Sequence, residues 1–188
     1  MRESAENRKL LTRRRALELL GAGVVVGAGV VLAAVRTTGY ALPATRRLAA
    51  LADWQFVVVE QAARRIAAPD DGAEGHVPSP DEVDVAGFVD EWVSHMDRPV
   101  RRDLGRFLAY LEHVAPFGAG CVSRFTRLRA PEQDRVLRQL EGSKNDLLRA
   151  GFEGLKSLVF MGYYRSPRTW RLIGYDGPLL GRPSGGWR

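Results

Sequence analysis

From residue 44 onward, apolar side chains return at steps of three and four, a period that belongs to helices with one buried face. Over residues 44–67 the recurring positions are Leu48, Leu51, Ala52, Gln55, Val58, Val59, Ala62 and Ile66, and Pro69, Asp70, Asp71 and Gly72 form a stop signal. A loop rich in Asp, Gly and Pro follows, with Ser79 or Asp81 as the cap of a second helix over residues 83–96. That helix carries Val85, Phe88, Val89, Trp92, Val93 and Met96 on one side. Pro99 opens a third at its first turn, with Leu104, Phe107, Leu108, Leu111 and Val114 inward and an end near Pro116 and Gly118.

Pro131 opens a further helix, with Glu132 and Asp134 near its positive end, Val136, Leu137 and Leu140 inward, and Gly142 as its stop. A long helix over Asp146–Tyr164 contains Leu147, Leu148, Phe152, Leu155, Leu158, Val159 and Met161. Its glycines, Gly151, Gly154 and Gly162, each cost about 1 kcal/mol relative to Ala in a helix interior, which predicts close packing against another backbone. Phe56 to Val59 is β-prone but sits inside a helical period, and no run alternates as a strand does. The expected fold is all-α: a signal or anchor helix over 1–41, a compact multi-helix domain over 42–180 and a C-terminal tail over 181–188.

Residues 19–35 form 17 consecutive positions without charge or strong polarity, and extending back to Ala16 adds only Glu18 as an interruption. Twenty helical residues span about 30 Å, the hydrocarbon thickness of a bilayer. Gly and Ala fill 8 of the 17 positions, so the run is only mildly hydrophobic. Immediately before it, Thr12, Arg13, Arg14 and Leu17 match a twin-arginine export consensus, while Ala16 replaces its aromatic residue and Glu18 its Lys. An ordinary single-pass anchor with a basic flank is the other reading, and both put the rest of the chain outside the cytoplasm. Cleavage after Ala41 or Ala33 and retention as an anchor all stay open.

The net charge of +6 divides evenly, half of it before residue 36. Arg98 to Arg106 and Arg124 to Arg138 alternate with core positions and acids, as solvated helix faces do, which argues against nucleic acid as a partner. Cys121 is the only cysteine, which excludes a disulfide scaffold, a Cys-rich zinc site and an iron–sulfur centre. It reads as a small buried hydrophobe, and Ser123 has no recognisable base partner. Glu112–His113 and His95 near Asp97 suggest acid–base pairs, but neighbours on a helix point about 100° apart. His76, near Asp70, Asp71 and Glu74, reads as part of a solvated acidic turn rather than a cation site.

The densest signal is at the C-terminal end: Tyr163, Tyr164, Trp170 and Tyr175 fall within residues 162–178, where Ser166 and Pro167 cap and start a short helix. Trp170 and Ile173 are expected to face inward, with turns at Gly174 and at Gly177-Pro178. Aromatics at this density must pack on the domain or on a partner, and Arg165, Arg168 and Arg171 beside them are of the type enriched at interface centres.

The run Gly-Tyr-Tyr, then Ser-Pro, then Trp, then Gly-Tyr-x-Gly-Pro resembles the signature of the gluconate 2-dehydrogenase subunit 3 family, and a looser likeness extends over residues 48–178. The resemblance implies a non-catalytic small subunit that exports, folds or stabilises a large FAD-containing dehydrogenase subunit of the glucose–methanol–choline type in the cell envelope. A separate cytochrome subunit of the same complex would carry electrons away, and the FAD would belong to the partner rather than to this chain. The family supplies no catalytic residues to carry over. Tyr163, Tyr164, Arg165, Trp170 and Tyr175 are the expected partner interface. The rival readings are a membrane-tethered helical binding protein without an oxidoreductase partner and an enzyme in its own right.

Overall fold

The computed structural model describes residues 39–40, 42–68 and 76–177, and the expected export signal at Thr12 to Leu17 and the expected tail over 181–188 lie outside them. Within these residues the chain forms α1 (Asp53–Ile66), α2 (Val85–Ser94), α3 (Arg98–His113), the short α4 (Ala115–Gly118), a 3-10 turn at Phe125–Arg127, α5 (Ala130–Glu141), α6 (Asp146–Tyr164) and α7 (Pro167–Trp170), closing on a second 3-10 turn at Arg171–Ile173. No strand occurs among the described residues. None of these helices is long and apolar enough to cross a membrane.

The core is where the apolar stripes of five helices meet. α1 is central and touches α2, α3, α5 and α6, while α6 also packs on α2, α3 and α5. Val58, Val59, Val89, Leu108, Leu111, Val136, Leu155 and Val159 are fully or almost fully enclosed there, with Phe125 packed in from the 3-10 turn. Phe56 and Ala63, absent from the periodic pattern of α1, are buried as well, whereas Ala52 is exposed. A two-point ion pair, Arg65 Nε and Nη2 to the Asp134 carboxylate at 2.7 and 2.8 Å, ties α1 to α5.

The first helix starts nine residues later than its period suggests, at Asp53 rather than residue 44. The cause is a carboxylate from another helix. Asp90, on α2 and 5 % exposed, accepts from the N–H groups of Ala49, Ala50 and Leu51 at 2.6, 3.0 and 2.7 Å. Three successive donors satisfied by a side chain are three donors that need no helical turn. Leu51 is nevertheless buried and Leu48 half-buried, so the apolar period is used without the helix.

The second helix also starts late, at Val85, and its cap is Asp84 rather than Ser79 or Asp81. Asp84 adopts φ 52°, a left-handed conformation that Asp tolerates better than most residues, and its carboxylate accepts from Gly87 N–H. A Cβ at Gly87 would lie 2.2 Å from that carboxylate, which is why glycine stands there. Ser79 instead exchanges hydrogen bonds with Glu82, both at 3.3 Å, in the turn before the helix.

The close approaches at the α6 glycines are to side chains, not to another backbone. A Cβ at Gly151 would sit 2.4 Å from the Phe107 ring, and one at Gly162 would sit 2.8 Å from the Phe88 ring. Gly154 meets nothing within 4 Å. Two polar side chains stabilise the loop between α4 and α5. Glu112, with no exposed surface, accepts from Thr126 N–H and Oγ1–H at 3.0 and 2.7 Å and faces Arg124 at 3.5 Å. Gln133 donates to the carbonyl of Phe125.

Candidate partner interface

The C-terminal segment is built as a hook on the end of α6. Ser166 accepts from Arg168 N–H and Pro167 occupies the first turn, so α7 starts immediately after α6 stops. Thr169, fully buried, donates its hydroxyl toward the carbonyls of Tyr163 and Ser166, each at 2.8 Å. Trp170 Nε1–H donates to the carbonyl of Tyr164 at 2.9 Å. The carbonyls left open at the end of a helix are thereby taken up by side chains six residues on. Gly174 then turns the chain at φ 62° and Gly177 at φ 102°, where a Cβ would lie 3.0 Å from the Trp170 ring.

A second set of bonds holds the hook to residues 76–82. Tyr163 is 3 % exposed and its hydroxyl donates to the carbonyl of Pro78 at 2.7 Å. Burial raises the pKa of its phenol, with Tyr164 and Glu82 adding to the shift, so the hydroxyl is kept as a donor. Arg168 Nη2 meets Glu82 Oε2 at 2.8 Å, and His76 Nε2 lies 3.0 Å from the same oxygen. Arg171 donates to the carbonyl of His76. The hydrogen bond with His76, then that from Ser79 N–H, with Arg168 adding to them, hold the Glu82 carboxyl down to about 2.

The five aromatic and basic positions expected at an interface therefore divide. Tyr163 is turned into the core, and Trp170 is half-buried with its indole N–H engaged. Tyr164 is half-buried, with Phe160 stacked on it at 6.0 Å and Tyr163 edge-on at 5.2 Å. Tyr175 is 43 % exposed, edge-on to Trp170 at 5.1 Å, and Arg165 is exposed, with its guanidinium 5.0 Å above the Phe88 ring. Ile173 points outward rather than in, and the inward place goes to Thr169. Thr12, Arg13, Arg14 and Leu17 lie outside the described residues.

Beside Arg165 the structure reveals apolar surface that periodicity had assigned to the core. Trp92 on α2 is 44 % exposed with its ring 5.6 Å from that of Phe88, and Phe88 and Met96, the latter just past the end of the helix, are partly buried beside it. With Glu91, His95 and Arg165 they line a groove of about 460 Å³. The signal was present in the sequence: the apolar positions of α2, 85, 86, 88, 89, 92 and 93, span about 160° of the helix surface, wider than the roughly 100° stripe that one buried face needs.

The remaining chemistry-bearing residues do not converge. Cys121 is buried, His113 lies beside Trp54 at 6.2 Å between ring centroids, and His95 Nδ1 sits 2.9 Å from the carbonyl of Glu91. Asp70, Asp71 and Glu74 lie outside the described residues, among which no group of three His, Cys, Asp or Glu side chains is placed to hold a metal ion.

Comparison with known families gives one match: the sequence model described as Gluconate 2-dehydrogenase subunit 3 covers residues 53–177, well over half of the chain. The matched span runs from the first residue of α1 to the glycine that closes the hook. No curated protein and no solved structure matches.

Proposed function

Because the chain belongs to the gluconate 2-dehydrogenase subunit 3 family, and so to the accessory subunits of a dehydrogenase complex, we propose that it accompanies a large FAD-dependent subunit of the glucose–methanol–choline type, folding or stabilising it in the cell envelope. The observation that carries this reading is the family match from the start of α1 through the C-terminal signature as far as Gly177. The chemistry and the FAD belong to the large subunit. This chain supplies a preformed helical platform whose hook, fixed by Thr169, Trp170 and Arg168, presents Tyr175 and the Arg165 side of α6. A cytochrome subunit of the same complex receives the electrons.

Export is the second part of the proposal. Thr12, Arg13, Arg14 and Leu17 ahead of the weakly hydrophobic run 19–35 fit twin-arginine translocation, a route that carries folded cargo and allows this chain to take a signal-less partner with it. Changing Arg13, Arg14 and Arg15 together to Lys keeps the charge and removes every arginine pair. Translocation of both subunits should then stop. Export unchanged in the triple variant would show an ordinary basic-flanked anchor instead.

The accessory role is tested by affinity purification of the full chain from cells that express the large subunit. Flavin absorbance co-eluting with this chain, and dehydrogenase turnover only in the complex, are expected. A stable chain that never retains a flavoprotein would favour the free-standing, membrane-tethered binding protein. Turnover by this chain alone would make it an enzyme.

A further inference from the structure

The groove beside Trp92 is open among the described residues, and its chemistry narrows what can lie in it. Phe88 and Trp92 stand four residues apart, about 6 Å along the axis of α2, and Met96 lies just past its end, which leaves a short ridge and a groove of the kind a second helix interdigitates. The interior backbone groups of α2 and α6 are paired within their own helices, the end groups are taken by caps and by the hook, and no strand edge exists among the described residues. An extended peptide laid there would leave its own N–H and C=O groups without partners, whereas a helix brings its backbone already satisfied.

Charge adds a second constraint. Arg168 and Arg171 are both engaged, with Glu82 and with the carbonyl of His76. Arg165, the cation at the groove, has its guanidinium on the Phe88 ring and forms no ion pair or hydrogen bond among the described residues. A guanidinium held over an aromatic face and without an ion pair can still offer N–H groups to a carboxylate. Arg165 is also the residue at which α6 ends and the hook begins, so the groove is continuous with the family signature.

We propose that the groove formed by Phe88, Trp92, Met96 and Arg165 seats an amphipathic helix of the large flavoprotein subunit, with an apolar ridge against α2 and an Asp or Glu paired to Arg165. This rests on the accessory-subunit reading and specifies the docking face within it. The Trp92 indole is then its central apolar contact.

The test uses the intact complex. The full chain is tagged and co-expressed with the large subunit, and the flavoprotein retained per tagged chain is measured for wild type, Trp92→Glu, Arg165→Glu and Arg165→Lys. Trp92→Glu and Arg165→Glu should each lower retention about tenfold or more, with Arg165→Lys in between and helix content and thermal midpoint unchanged. A photoreactive phenylalanine analogue at position 92 should crosslink to a helical peptide of the large subunit that contains an acid, which keeps the proposal testable if a substitution prevents folding.

Wild type that retains the flavoprotein while both Glu variants retain it equally would overturn the groove and leave the accessory role standing. Wild type that retains none would remove that role, and the groove with it. Crosslinking to a second copy of this chain would also overturn the proposal. So would Glu variants that keep the flavoprotein but lose binding to vesicles of phosphatidylglycerol and phosphatidylethanolamine, which would assign the face to a membrane surface.

Discussion

The apolar arc of α2 carries valines along its centre and aromatics along one flank, and the two parts meet different fates. Val85, Val89 and Val93 are enclosed between α1 and α6, at most 2 % exposed. Phe88 and Met96 are only partly buried, and Trp92, between them in sequence, is 44 % exposed on a groove. The difference is one of supply: α1 and α6 cover the valines of α2, and nothing among the described residues closes over Trp92. An apolar period tells which positions avoid water in the finished assembly, not which chain does the covering. Surplus apolar surface on a small subunit is therefore information about its partner.

If the valine centre is the stabilising part, its supports should be costly to remove. The largest effect is expected at Asp90, whose loss leaves the N–H groups of Ala49, Ala50 and Leu51 without an acceptor. Asp90→Ala should cost about 3 to 4 kcal/mol of unfolding free energy in urea titration, and Asp90→Asn, which keeps one acceptor oxygen, roughly half as much. Equal costs for the two would mean that the carboxylate is not what holds the segment before α1.

The two parts of α2 can be compared directly. Val89→Ala empties a fully buried site and should cost about 2 kcal/mol, whereas Trp92→Ala, despite removing more atoms, should change stability by no more than about 1 kcal/mol. Thermal melts of both variants decide it. A larger stability loss for Trp92→Ala than for Val89→Ala would place the tryptophan in the core after all.

Gly151 and Gly154 provide the same contrast within α6. A methyl at Gly151 runs into the Phe107 ring and should cost about 1 to 3 kcal/mol, while Gly154→Ala meets open space and should stabilise by up to about 1 kcal/mol through helix propensity alone. Opposite signs in denaturant titration are the expected result.

Much of this could be read from the sequence, and the parts that could not share one cause. The span of α6, the proline starts of α3 and α5, the Ser166 cap and the turn at Gly174 are local, set by residues within a few positions of the feature. The late start of α1 is not, because its cause is Asp90, 39 to 41 residues downstream. The division of the signature into an inward Tyr163 and an outward Tyr175 likewise depends on where the Pro78 carbonyl arrives. The exposure of Trp92 was visible only as an apolar stripe on α2 wider than one buried face needs, and which edge stays open is decided by where α6 packs.

The smallest effect concerns the tether between the hook and residues 76–82. The Glu82 carboxyl is held at about 2, below its ordinary 4.5. A depressed carboxyl contributes stability that is complete above its unfolded pKa and lost as pH falls through its folded one, so this contribution should fade between about pH 5 and pH 2. Wild type and Glu82→Gln should differ slightly in thermal midpoint at neutral pH and converge by about pH 2. A gap that persists at low pH would mean that the Glu82 charge does not fasten the hook.

The central claim is that this chain is a platform for a flavoprotein. The most direct measurement is the flavin content and dehydrogenase activity of the large subunit produced with and without this chain. With it, the two should co-purify as an active, flavin-loaded complex. Without it, the large subunit should be lost from the envelope fraction or fail to accumulate in active form. A large subunit equally abundant, exported and active in the absence of this chain would contradict the account.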